Sequence, residues 1–369
     1  MLKLTNLIIL FSLLFCSKKS VNISENSNFI IDSLDVSDIR QVQESSNNQE
    51  LIILRKKTPS FLIYNVNNQN TISNRSFTLW NDSLYDKKYN FYFHSYDSIF
   101  LIPESTNELY LLNLKSGSLK SVFYSLSNFD FNDNFTFSAS FCPIRKVGNN
   151  IYVQAIRTDI SVRTDSEREL YYRTKPDMAI SIQKPFETKL TAQWPEEFNG
   201  KMNYRDYYIY SALNTHTKDL VYGFRSVGKL LKLNEENKIS KKNITSRYHS
   251  DPKIYPNDSV GNFAFLKRYI IEEPRYDKIL YNKFYNLYFR IYIHRINFYN
   301  EDGYLNEFED KPFSLIVFDE NLNFLNEFIF DQKKYLYYHC FTKDDKIYLL
   351  NRENKPNSVT YSAFKIVYK

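Results

Sequence analysis

The chain has 369 residues, with 31 tyrosines and 30 phenylalanines but only 7 glycines. It therefore carries material for a large aromatic core and too little glycine for phosphate-cradling loops. Hydrophobic residues make up 43% and charged residues 24%, proportions of a globular chain and not of a disordered one. The 48 lysines and arginines exceed the 42 acidic residues by too little, and too diffusely, for a nucleic-acid binder.

The chain opens with "MLKLTNLIILFSLLFCSKKS". One early cation, Lys3, precedes an apolar run that is too short to span a bilayer and suited to the core of an export signal. The run ends at Cys16 in "SLLFC", and a polar stretch, "SKKSVNISENSN", follows. This arrangement resembles the lipobox of bacterial lipoproteins, in which the cysteine becomes the acylated first residue of the mature chain. Phe15 departs from the pattern, which carries Gly, Ala or Ser there; an ordinary signal peptide with an incidental cysteine is the alternative. The resemblance implies a signal peptide over 1–16, lipidation at Cys16, a tether over 17–27 and the membrane as a partner through an N-terminal lipid. Ser17 is not the aspartate of inner-membrane retention, and no acidic run follows the cysteine. The expected location is thus the outer membrane of a bacterial cell envelope, facing the periplasm. Cys142 and Cys340 lie in apolar runs, "FSASFC" and "LYYHCF", which suits two buried free thiols; one disulfide in an oxidising compartment is the other possibility.

Beyond residue 28 the sequence repeats a pattern of short apolar runs parted by polar turns. Its cleanest copy is "SIFLIPESTNELYLLNLKSGSLKSVFY" at 98–124, and 47–77 and 218–244 match it. Residues 344–368 supply two strands and stop, while two further copies, from 149 and from 286, match once insertions are allowed. The leading strands begin near 51, 98, 150, 219, 286 and 346, a spacing of the size a propeller blade needs. Upstream runs such as "NFYFHS" from 90, "FTFSASF" from 135, "YRDYYIYS" from 204, "FAFLKRYI" from 263 and "YLYYHCF" from 335 would be the innermost strands. The expected fold is all-β, a single six-bladed β-propeller over 28–369, with the isolated strand "NFIIDSL" at 28–34 completing the last blade and removing its exposed edge. A large sandwich or a two-domain β protein is the alternative. The lipobox-like start followed by six propeller-like units resembles an uncharacterised family of six-bladed propeller lipoproteins of Bacteroidota, a domain of unknown function. That resemblance implies no catalytic residues.

Motifs of chemistry are sparse. There is no Gly-x-Ser-x-Gly elbow, no His-Glu-x-x-His helix and no paired-cysteine metal spacing. The five histidines are scattered, and acidic pairs such as "IEEP" at 272 fix no carboxylate separation. The sequence thus nominates no catalytic residue, no metal ligand and no cofactor. Two insertions stand out, 157–176 in the third unit and 297–312 in the fifth, each between a second and a third strand and hence expected on one face. The first clusters Arg157, Arg163, Arg168 and Arg173 with Tyr171 and Tyr172, residue types that dominate interface hot spots. These six are the candidate contacts for an unidentified protein or glycan partner; solvated loops without a partner are the plain alternative. The function expected is a membrane-anchored binding or scaffold module, and the alternative is a periplasmic lyase or hydrolase using the axial cavity.

Overall fold

The computed structural model describes residues 19–369 except 33, 46–48, 57–59, 69, 77–88, 104–107, 124–134, 139–141, 184–186, 199–207, 257–258 and 260. Its strands form six antiparallel sheets arranged as the blades of a propeller. The chain begins with β1 (Val21–Asp32). Blade one follows as β2 (Ile39–Glu44), β3 (Glu50–Arg55), β4 (Ser60–Asn65) and β5 (Asn70–Ser76). Blade two is β6 (Tyr89–Ser95), β7 (Ser98–Pro103), β8 (Glu108–Leu112) and β9 (Leu119–Phe123). In blade three the innermost strand is split into β10 (Phe135–Phe137) and β11 (Arg145–Val147), which share β12 (Asn150–Arg157) as partner; β13 (Asp177–Ser181) and β14 (Thr188–Thr191) lie outside it. Blade four is β15 (Ile209–Leu213), β16 (Leu220–Phe224), β17 (Lys229–Leu233) and β18 (Ile239–Asn243). Blade five is β19 (Arg275–Asn282), β20 (Leu287–Ile293), β21 (Phe313–Phe318) and β22 (Phe324–Phe330).

Blade six is β23 (Tyr335–Lys343), β24 (Lys346–Asn351) and β25 (Ser358–Tyr368), with β1 as its outermost strand. The register runs from Val21 opposite Tyr368 to Asp32 opposite Ser358. The two chain ends therefore close the ring, and the last sheet keeps no long unpaired edge at β25. The strand starts earlier than the sequence suggested: 21–27, taken as tether, already belong to β1. Their polar alternation reflects an outer strand with one wet face.

Packing follows the same sixfold plan. Each of six apolar clusters fills the space between two neighbouring blades, and together they run around the whole ring. Phe29 shows how β1 is held: its ring stacks on Tyr361 at 5.2 Å and meets Tyr348 edge-on at 5.3 Å.

Two innermost strands differ from expectation. In blade one, β2 reads "IRQVQE", too polar to register as a core strand. The reason is that Gln41 and Gln43 use their side-chain amides as a backbone would. Each donates to a carbonyl of β6 and accepts from the same residue's N–H, Gln41 with Phe91 and Gln43 with Phe93, at 2.8–3.1 Å. They satisfy an inner strand edge that has no strand beside it. In blade five, "FAFLKRYI" is not a strand but part of helix α2 (Phe263–Glu272), capped by Asn262, whose side chain accepts from Phe265 N. β19 takes the innermost place instead. Among the described residues no helix is long and apolar enough to cross a membrane.

Candidate functional site

The insertion at 157–176 folds into helix α1 (Asp165–Tyr172) because Thr164 and Glu167 form a reciprocal capping box. Hydrogen bonds from Ser161 and from the Thr164 and Arg163 N–H groups hold the Glu167 carboxyl down to about 2. The helix turns Arg168, Tyr171 and Tyr172 inward, one face at i, i+3, i+4 spacing. Tyr172 packs edge-on against Trp194 at 4.9 Å and Phe198 at 5.0 Å, in the groove between blades three and four. Three of the six residues expected at a partner surface are therefore core residues, and that expectation is corrected: the tyrosines anchor the insertion. Arg157 pairs with Asp159 and Arg173 with Glu169, while Arg163 is exposed. Cys16 lies outside the described residues.

The structure instead draws attention to the axis. Side chains from all six blades surround a cavity of about 360 Å³. A second chamber of about 260 Å³ adjoins it and shares Tyr210, Arg275 and Asp277. Arg40, Tyr89, Tyr210 and Arg275 stand at the beginnings of their strands, the ends that face the inter-blade connections and the two insertions. The second chamber is walled by Leu266, Tyr269 and Ile270 of α2 and by Phe308 of the 297–312 insertion. The insertion-bearing face and the cavity thus meet.

Regular pairing fails where the cavity lies. β2 is irregular between Ile39 and Gln41, β19 between Tyr276 and Ile279, and β23 between Leu336 and Phe341. These interruptions bracket Arg40, Asp277 with Lys278, and Tyr337 through Cys340, all of which line the cavity. His339 has φ of 60°, a left-handed conformation that is unusual for a residue with a side chain. Bulges of this kind redirect side chains and recur beside binding and catalytic sites.

The two sides of the cavity differ in charge. At blades three and four, the buried Arg145 is bound by both oxygens of Asp177, at 2.6 and 2.8 Å, and Tyr222 donates to the same carboxylate at 2.6 Å. Arg145 also reaches Cys142 and Ser211, which form the cavity wall there. That wall is neutral because its ion pair is complete. Blades one and five present Arg40, Lys56, Arg275 and Lys278, with Asp277 the acidic group among the lining residues. Close by, the buried Asp38 carboxylate takes Arg55 at 2.6 Å and the backbone N–H of Lys56 at 3.1 Å.

Neighbouring groups register the resulting potential. Burial, then Arg275 and Arg225, push the Lys311 amine down to about 6. Its Nζ donates to Ile270 O at 2.9 Å and Glu273 O at 2.6 Å, so it tethers the insertion to the end of α2. Burial, then Lys278, Lys56 and Arg40, hold His339 well below the usual histidine range. Cys142 and Cys340 are free thiols, both buried, and burial raises Cys340 to about 11. Among the described residues no three His, Cys, Asp or Glu side chains are grouped as metal ligands would be.

The sequence pointed to an axial cavity only as an alternative and named none of its residues, because these come from six separate blades and none carries a motif. The polar "RQVQ" at 40–43 inside a run of apolar strands was the one local signal.

No family model and no curated protein matches the sequence. Among solved structures, the chain is similar to a member of the DUF4221 family from Bacteroides vulgatus, with 17% identity and a TM-score of 0.74 over 96% of this chain and 100% of that one. A "Putative exported protein" from Bacteroides fragilis is 10% identical, with a TM-score of 0.52 over 96% of each chain. These likenesses establish the six-bladed propeller fold, shared with an uncharacterised propeller family of Bacteroidota.

Proposed function

We propose that this protein is a lipid-anchored binding propeller of the bacterial cell envelope, which takes a small ligand into its axial cavity through the face bearing the two insertions. The observation that carries this reading is the convergence of side chains from all six blades, three of them at interrupted inner strands, around one cavity. A rigid ring of blades with irregular loops above it is the arrangement in which ligand sites are usually found.

The anchor rests on Cys16 and on where the chain enters the fold. Ser20 and Lys369 exchange backbone hydrogen bonds at 3.0 Å each, so Ser20 is already part of the last blade. Four residues of extended chain from Cys16 to Ser20 reach about 14 Å at most. β25 starts at the insertion-bearing face and ends at the opposite one, where β1 begins. An acylated Cys16 would therefore hold the opposite face to the membrane and leave the cavity pointing away from it. Beside that chain entry stand the exposed Phe284, then Tyr285 at 4.7 Å between ring centroids, Tyr368 and Lys19. Aromatic rings with a nearby amine suit a lipid–water boundary.

Two substitutions separate the halves of this reading. Cys16→Ala abolishes incorporation of radioactive palmitate if the anchor is real, and unchanged labelling removes it. Val42→Trp, which fills the cavity, abolishes the thermal shifts that small-molecule fragments induce in the wild type. Shifts that persist in the variant put binding elsewhere.

A further inference from the structure

Given that the axial cavity binds a ligand, its lining restricts which chemistry that ligand has. The two chambers together present Arg40, Lys56, Arg225, Arg275 and Lys278, while Asp277 and Glu273 are their carboxylates. The lining is therefore net positive, and Glu273 is already engaged, accepting from Lys253 N at 2.8 Å. Charges enclosed by protein interact more strongly than the same charges in water, and a cleft lined by one sign concentrates the opposite one.

Arg275 sits where the chambers join. Its guanidinium carbon lies 4.0 Å from the centroid of the Phe308 ring. Its Nε is buried and has no hydrogen-bond partner. A buried donor left without an acceptor is costly, and a planar guanidinium backed by an aromatic ring is preorganised for an oxyanion. Lys311 and His339 are lowered first by burial and then by these same cations, Arg275 and Arg225 for Lys311 and Lys278, Lys56 and Arg40 for His339.

We propose that the ligand is an anion, a small molecule presenting a carboxylate or phosphoryl group to Arg275 and Lys278, with its remainder against Tyr210, Tyr337 and Phe308. The tyrosines and the phenylalanine supply flat surface for an apolar or ring-bearing body, and the cations supply the selectivity.

The test uses the full chain in detergent and three probes of one shape: benzoate, benzamide and benzamidine, carrying negative, neutral and positive heads. Titration calorimetry is expected to show benzoate binding about tenfold or more tighter than benzamide, and benzamidine weakest, as one charge-assisted contact would produce. Arg275→Gln should lower benzoate affinity about tenfold and leave benzamide unchanged. Lys278→Gln, at the half-buried rim, gives the same comparison if Arg275→Gln does not fold. Displacement of benzoate by inorganic phosphate would assign the phosphoryl group, and failure to displace it the carboxylate. Benzamide or benzamidine binding as tightly as benzoate, sensitive to Val42→Trp, would overturn the anion inference and leave the cavity as a binding site. Absence of cavity binding by all three probes would overturn both.

Discussion

Lys311 is a lysine in a place that suits a neutral amine. Its Nζ is fixed by two carbonyls at the end of α2, and burial, then its cationic neighbours, holds its proton affinity down to about 6. In the unfolded chain the same amine keeps its proton up to an ordinary value near 10.5. Between these values the unfolded state binds the extra proton, so the native state gains stability as pH rises from about 6 towards 10, and below 6 the contribution is flat. The gain is at most about 1.4 kcal/mol per pH unit. Lys311→Met removes this slope. Urea midpoints of wild type and variant from pH 6.5 to 8.5 should diverge in favour of the wild type as pH rises; parallel curves would mean that Lys311 stays charged in the fold. Arg290 shows a different solution to the same problem. It is fully buried, lies 3.8 Å from the Tyr276 ring centroid and donates to the carbonyls of Phe224, Val227 and Gly228. Its charge is held by dipoles and a ring, and burial lowers its proton affinity to about 10.

At the scale of the element, β1 is the strand that closes the ring. Phe29 is its principal anchor, in contact with rings from blades one and six. Phe29→Ala should cost about 3–5 kcal/mol of unfolding free energy, as removal of a packed aromatic does. A chemical denaturation curve shifted by less than about 1 kcal/mol would mean that the other blades close without it. Strands were the part of the fold most legible in the sequence, because alternation and polar turns mark each one, and the spare strand near residue 28 matched the missing one at the end. What escaped had physical causes. In β2, glutamine amides replace apolar side chains because they pair with a strand edge. In α2, residues 263–270 are apolar enough for either helix or strand, and Asn262 decides between them. In α1, the spacing of Arg168, Tyr171 and Tyr172 behind Thr164 and Glu167 was readable as a capped amphipathic helix; taken as a loop, its buried residues looked like surface ones.

At the scale of the molecule, the ring brings together what the sequence keeps far apart. Arg40, Tyr89, Cys142, Tyr210, Arg275 and His339 meet at the axis, one from each blade. No local pattern marks such a convergence, which is why the candidate site was the least legible feature of the chain. The same ring sets direction: the chain enters at one face, while both insertions and α2 stand at the other. The 297–312 insertion is bound to its surroundings by Lys311, by Lys267 with Glu307, and by Arg352 with Asp310 at 2.9 Å. It is part of the cavity wall and not a free arm. The central claim is that the axial cavity holds the protein's ligand. Native mass spectrometry of the full chain, purified gently from the cells that produce it, puts this to the test. The wild type is expected to carry a small-molecule adduct that is absent from Val42→Trp at equal folded yield. A wild-type protein that carries no adduct even when incubated with an extract of those cells, or an adduct that survives in Val42→Trp, would rule the axial cavity out.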